Sequence, residues 1–281
     1  MKPIVLVLGD TGMLGHMLKY FFLEKKVYTV LGLNRHRLDL NNFGKLEEQV
    51  RKIKPHYVLN CAGIIRPTYE INPGRINVAL PHFLVYLGNK YKFKLVHFST
   101  NCVFDSPGPH SESDLPDAEN LYGISKFLGE FDSQKHVLIR TSIIGPELKE
   151  NGTGLFHKFI TDEKFDRGFI NIFWNGVTTL ELAKFLYANL NSLNGILHFY
   201  TKNEEKPLGI SKYGLLLLIK KSFNLKKDLI PVIAKDFHQS ILWGKYYTVK
   251  EYEKQINELR EWVFSYPTLY YSLYNHFISF K

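Results

Sequence analysis

Apolar and polar positions follow two different rhythms along this chain. Short apolar runs fall at Ile4–Leu8, Tyr28–Leu33, Tyr57–Cys61, Leu95–Phe98 and Val137–Arg140, and each predicts a buried strand. Between them, apolar residues recur at helical spacing over Met13–Lys26, Phe43–Ile53, Arg75–Tyr91 and Tyr122–Ser133. Pro81 lies inside the third helical stretch and predicts a kink there. Regular alternation of strand and helix predicts βαβ units around a parallel sheet, an α/β doubly wound architecture. The rhythm weakens after Gly145-Pro146. Leu155–Ile160 reads as a short amphipathic segment, a further βα-like pair covers Phe169–Asn189, and a strand follows at Ile196–Tyr200. From Lys202 the pattern is mainly helical and aromatic-rich, ending in Tyr266–Phe280.

Composition narrows the class. With 281 residues, 45% hydrophobic and 22% charged, the chain reads as an ordinary globular protein with ample core. Met1-Lys2-Pro3 runs directly into the first apolar stretch, so no signal peptide is expected. The longest apolar run, Leu215 to Ile219, stops at Lys220-Lys221, so no membrane partner is expected either. Two cysteines, Cys61 and Cys102, are too few for a disulfide framework or a zinc site; a reducing, cytoplasmic location and no bound metal are expected. The net charge of +9 is spread along the chain, with short clusters at Lys90–Lys94, Lys220-Lys221 and Lys226-Lys227. Scattered lysines argue against nucleic acid as a partner and suit small polyanions such as nucleotide diphosphates.

The first strand ends in Gly9-Asp10-Thr11-Gly12-Met13-Leu14-Gly15 and opens directly into a helix. Glycines at this junction permit a tight turn and let backbone N–H groups approach a pyrophosphate at the helix N-terminus. This makes the first half a Rossmann domain, with residues 1–145 and 169–200 binding a dinucleotide. Residues 146–168 and 201–281 would then form a smaller, mainly helical substrate-binding cap. After the second strand comes Asn34-Arg35-His36-Arg37, with no acid before Asp39. A carboxylate there would favour the ribose 2′-OH of NAD, whereas arginine suits the 2′-phosphate of NADP. NADP is therefore expected over NAD, with Arg35 first and Arg37 second. Asp39-Leu40 would border the adenine, and Asn60-Cys61-Ala62-Gly63 would pass beneath the cofactor.

The chemistry gathers after the fourth strand. Ser99-Thr100-Asn101-Cys102-Val103-Phe104 supplies hydroxyl, amide and thiol groups, and Tyr122 and Lys126 follow four residues apart on a helix. That spacing puts both side chains on one face. An ammonium about 5 Å from a phenol would favour the phenolate by about 3 kcal/mol at an effective dielectric near 20, which predicts an acidified Tyr122.

Together these residues resemble the extended short-chain dehydrogenase/reductase superfamily, and within it the reductases and epimerase/reductases of nucleotide-sugar synthesis of the dTDP-4-dehydrorhamnose reductase type. The resemblance implies a catalytic triad of Thr100, Tyr122 and Lys126. Tyr122 would protonate a keto oxygen, and Lys126 would also hold the nicotinamide ribose. Nucleotide-sugar 4,6-dehydratases carry an Asp-Glu pair where this chain has Asn101-Cys102, so dehydration is not expected. Simple rhamnose-type reductases read Thr-Asp-Tyr-Val-Phe there. The Thr-x-Cys-Val-Phe pattern of Thr100 to Phe104 is instead similar to bifunctional epimerase/4-reductases of the UDP-rhamnose type, as is Ala62-Gly63-Ile64-Ile65-Arg66-Pro67. In those enzymes the cysteine exchanges a proton beside the ketone, a task suited to a thiol of ordinary pKa about 8.5. His157, Lys158 and Lys126 are candidates for the second exchanging group. Arg66, Asn101, Cys102, Ser142, His157 and Trp174 are the expected substrate contacts, Trp174 either stacking on a base or packing the cap. A nucleotide-diphosphate sugar is the expected substrate, and a homodimer is compatible with the likeness. A reductase without epimerase activity, and a non-catalytic NADP-binding regulatory subunit, are the alternatives.

Overall fold

The computed structural model describes residues 1–68, 71–203, 208–235 and 240–279. Its centre is a seven-stranded sheet. The strands β1 (Ile4–Leu8), β2 (Thr29–Leu33), β3 (Tyr57–Asn60) and β4 (Lys94–Phe98) are joined by Val137–Arg140, Gly195–Thr201 and Tyr246–Thr248. Every pairing in this sheet is parallel. Across the sheet the order is β2, β1, β3, β4, Val137–Arg140, Gly195–Thr201, Tyr246–Thr248. The winding therefore reverses between β1 and β3, where doubly wound sheets open a crevice at their C-terminal ends.

Residue alternation builds the two faces. Val5 and Val7 of β1 face one core with Leu14, Met17, Leu18 and Phe22 of α1 (Met13–Glu24) and Leu182 and Leu186 of α6 (Thr179–Asn189). Leu6 and Leu8 face the other, with Leu46 and Val50 of α2 (Phe43–Ile53) and Leu84 and Leu87 of α3 (Leu80–Tyr91). A period of two along the strands makes this division automatic.

Three elements depart from expectation. The stretch expected as one helix kinked at Pro81 is a π-helical turn at Gly74–Ala79 followed by α3, with Pro81 in the first turn. Proline lacks the N–H that a continuous α-helix would need, and the wider turn accommodates the defect. The fourth helix, α4, covers Leu121–Leu128 and stops at Gly129 rather than reaching Ser133. Tyr246–Thr248, in the stretch assigned to the cap, is the edge strand of the main sheet. The rest of the cap region carries α5 (Leu155–Thr161), α7 (Lys212–Ser222), α8 (Tyr252–Ser265) and α9 (Pro267–Tyr274). Short strands connect them; Phe173–Trp174 pairs antiparallel with Ile210–Ser211. No helix among the described residues is long and apolar enough to cross a membrane.

Candidate active site

The glycine turn lies where β1 enters the crevice. Gly9 has φ +75°, and a Cβ there would come within 3.0 Å of Ala62 N. At Gly15 a Cβ would sit 2.1 Å from Gly9 O. Bare backbone is thus required for the turn to close against β3 and α1. No acid occupies the first turn of α1 and no side chain caps it, so its N–H groups face the crevice free for an anion. Thr11 and Met13 are half-buried along this turn, and Leu14 points into the core. The residue missed from the sequence is Asp10. It is buried, bonded to Lys19 Nζ at 2.6 Å and to Asn34 Nδ2 at 3.0 Å, and so ties the turn to the end of β2.

Beyond β2, Arg35 is exposed, and Arg37 is exposed with a long contact to Gly32 O at 3.3 Å. Asp39 is taken up by Asn41, whose backbone and side-chain N–H groups hold its carboxyl below the usual range. Leu40, expected beside the adenine, is instead buried in the core beneath α2. Cys61 packs at the edge of the other core, its N–H donates to Leu8 O, and burial pushes its thiol up. Its segment does lie against the glycine turn, through Ala62. Arg66 is exposed and does not line the neighbouring cleft.

The catalytic candidates converge at the C-terminal end of β4. Asn120 caps α4 by accepting from Gly123 N at 2.8 Å, fixing the helix that presents Tyr122 and Lys126. Thr100 Oγ1 accepts from Cys102 N at 3.1 Å, and the same hydroxyl exerts a lowering influence on the nearby Tyr122 phenol. The expected acidification of Tyr122 by Lys126 does not occur. Lys126 Nζ donates to Phe98 O at 2.7 Å and lies 3.4 Å from His97 Nε2. Burial and the neighbouring Cys102 raise Tyr122 to about 12, against the lowering contact from Thr100. Burial lowers Lys126 to about 8, opposed by the charges of Glu130 and Cys61. His97 is itself buried between Lys126 and Asn60 Nδ2 (3.1 Å) and is held neutral by burial. His97 was not singled out in the sequence. It sits inside an apolar strand run, and only its place in the sheet beside Asn60 reveals it.

Asn77, on the π-helical turn, is a further unforeseen positioning residue. Its buried side chain bonds Ile64 O, Ile64 N and Ser125 Oγ, joining the loop after β3 to α4.

Beside Tyr122 opens a cleft of about 380 Å³. One wall carries Asn101, Cys102 and Ser142; the cap side carries Trp174, Lys212 and Ser240. Asn101 Nδ2 donates to Ser240 Oγ at 3.2 Å across it. Trp174 Nε1 donates to Ser142 Oγ at 2.7 Å, so these two substrate candidates are brought together. His157 is not in the cleft. It is buried, with Nδ1 3.0 Å from Tyr274 OH of α9 and Nε2 3.1 Å from Glu150 O, so both nitrogens are occupied away from the cleft. Beneath the cleft, Arg140 and Glu130 form a buried ion pair at 2.7 Å, joined by Ser99 Oγ. Among the described residues no group of three or more His, Cys, Asp or Glu side chains is placed to hold a metal ion.

Comparison with known proteins adds to this geometry. A family model described as the RmlD substrate binding domain matches residues 1–248. The structure is similar to that of a dTDP-4-dehydrorhamnose reductase from Bacillus anthracis in complex with NADP, with TM-score 0.78 and 21% identity over 92% of this chain and 98% of that one. A hypothetical dTDP-4-dehydrorhamnose reductase from Sulfolobus tokodaii matches with TM-score 0.70 and 26% identity, over 89% of this chain and 98% of that one. Among curated proteins, methionine adenosyltransferase 2 subunit beta from Danio rerio is 28% identical over 81% of this chain and 76% of its own length. The Mus musculus protein of the same name is 30% identical over 45% of this chain, and the match spans only 41% of that relative.

Proposed function

The chain belongs to the RmlD substrate binding domain family, and from that membership we propose that it reduces the C4 ketone of a nucleotide-linked 4-keto-6-deoxyhexose with NADPH and epimerises C3 in the same cleft, with C5 as a second candidate centre. The observation that carries this reading is the Tyr122 phenol, kept protonated near neutral pH and within electrostatic reach of Cys102, which lines the cleft. A ketone reductase needs its acid loaded before the reaction, and a raised phenol is loaded.

The uncapped α1 N-terminus and the bare Gly9–Gly15 turn fit a dinucleotide pyrophosphate. Bound NADPH would supply the hydride. Tyr122 donates its proton to the ketone oxygen, and the Thr100 hydroxyl steadies that oxygen as charge develops. Lys126, fixed by Phe98 O, would hold the nicotinamide ribose and replenish the phenol's proton. Arg35 and Arg37 meet the 2′-phosphate, a role supported by the engagement of Asp39 elsewhere. Trp174, pinned by Ser142, offers its indole to the nucleotide base. Cys102 exchanges the proton on carbon beside the ketone, which the carbonyl acidifies. Residues 1–145 with 169–200 would hold the cofactor, and 146–168 with most of 201–281 the sugar nucleotide. Two free thiols suit the reducing cytoplasm to which this reading assigns the protein.

The test is NADPH oxidation on offering dTDP- and UDP-linked 4-keto-6-deoxyglucose, with the product's C3 and C5 configuration read by NMR. Turnover with both centres unchanged would leave a simple reductase. The second reading, a non-catalytic subunit, is favoured by the likeness to methionine adenosyltransferase 2 subunit beta. NADPH binding without turnover on either nucleotide would decide for it.

A further inference from the structure

The cleft contains one cation that the reaction so far does not use. Lys212 is the sole lysine or arginine among the described residues lining it, and its ammonium has no hydrogen-bond or ion-pair partner among them. Its backbone is held firmly. Lys212 N donates to Ile172 O at 2.8 Å, and Ser211, the N-cap of α7, accepts from Gly214 N at 3.0 Å. The strand before it pairs with Phe173–Trp174, so Lys212 and Trp174 line the cleft from neighbouring strands. Cys102, on the turn after β4, lines the same cleft within electrostatic reach of Lys212. Asp105, the one acid of the lining, accepts from Glu119 N at 2.5 Å and Asn120 Nδ2 at 3.4 Å.

We infer that Lys212 is the second proton-transfer group of the cleft, working opposite Cys102 on the carbon beside the substrate ketone. The inference rests on the proposed sugar-nucleotide reading and deepens it. Cys102, as thiolate, removes the proton from that carbon; the C–H electron pair moves into the enolate. The Lys212 ammonium then protonates the same carbon from the cap side, and the enolate collapses to the ketone. Cys102 is left as thiol and Lys212 as amine, and proton exchange with water resets both. No electron leaves the sugar, so the step needs no oxidant or reductant. Burial moves Lys212 toward its neutral form, opposed by its electrostatic interaction with Cys102, which suits a group that must both give and take a proton.

The experiment follows deuterium wash-in from D₂O into C3 and C5 of the 4-keto sugar nucleotide on the NADP⁺-loaded protein, alongside NADPH oxidation by the same preparation. Lys212→Met and Lys212→Arg are compared with wild type, with folding checked by thermal melts and nucleotide binding. Arginine retains the charge but does not deprotonate. The expected result is a fall of about 100-fold or more in the ratio of configurational inversion at the exchanging carbon, read by NMR, to ketone reduction for both variants, while same-face deuterium exchange through Cys102 persists. Full inversion by Lys212→Arg would overturn the inference in favour of a purely electrostatic role. Equal loss of wash-in and reduction through a raised KM would overturn it in favour of substrate anchoring. Wild-type reduction without any wash-in would remove epimerisation and this inference together. Absence of reduction in wild type would instead strike the underlying reading.

Discussion

At the scale of single residues, the triad works differently from what its spacing suggests. Tyr122 and Lys126 share a helix face, yet the lysine turns to Phe98 O and His97, and burial dominates the phenol. The consequence is an acid that stays loaded rather than one that ionises readily. Tyr122→Phe is expected to lower ketone reduction by about 10²- to 10⁴-fold, measured as NADPH oxidation. Lys126 provides a pH signature. With its ammonium lowered to about 8, its charge is present below that value and is lost as the pH rises through it. The kcat/KM for reduction should therefore decline above about pH 8, and a profile flat to pH 10 would contradict the lysine's role. The hydroxyl, thiol, phenol and ammonium were legible in the sequence because each lies in a short local motif. The role of His97 was not, since only the fold brings this strand residue beside Lys126 and Asn60.

At the scale of elements, two features hold the site in place. The first is the close contact of α1 with the glycine turn. Gly15→Ala would set a Cβ 2.1 Å from Gly9 O and 2.8 Å from Gly9 C, so the helix must move off the turn. NADPH affinity should fall at least about 10-fold, read by nucleotide fluorescence. The second is the Arg140–Glu130 pair, with side chains only 3% and 5% exposed. Glu130→Gln leaves a buried guanidinium without its counter-charge and should cost about 3–5 kcal/mol in urea unfolding. The long alternating elements were legible because several turns or strand repeats average over local noise; α2 runs over Phe43–Ile53, as read from the sequence. Strands of two or three residues, such as Phe173–Trp174 and Tyr246–Thr248, contain too few positions to show a period. The π-helical turn before Pro81 was hidden for another reason: a proline announces a break but not its form.

At the scale of the whole molecule, buried histidines link distant parts of the chain and make stability depend on acid. His16 Nδ1 donates to Gly12 O at 2.8 Å, and its Nε2 lies 2.8 Å from Tyr270 OH, joining the glycine turn to α9. Burial lowers His16 to about 4 from 6.5, and His97 and His198 shift the same way. Between those values the unfolded chain binds more protons than the folded one, so stability is complete above about pH 6.5 and is lost as the pH falls toward 4. His16 alone contributes up to about 3 kcal/mol of this loss. The urea midpoint should drop steeply over that window, and an unchanged midpoint at pH 4.5 would refute the account. By itself, the amino-acid sequence determined the doubly wound class, the glycine turn, and the Thr100, Cys102, Tyr122 and Lys126 set, because these depend on local periodicity and on residues close in the chain. Only the tertiary structure decided that His157 packs against α9 while Lys212 lines the same cleft as Cys102. Those facts depend on which wall each cap segment forms, and long-range packing fixes that.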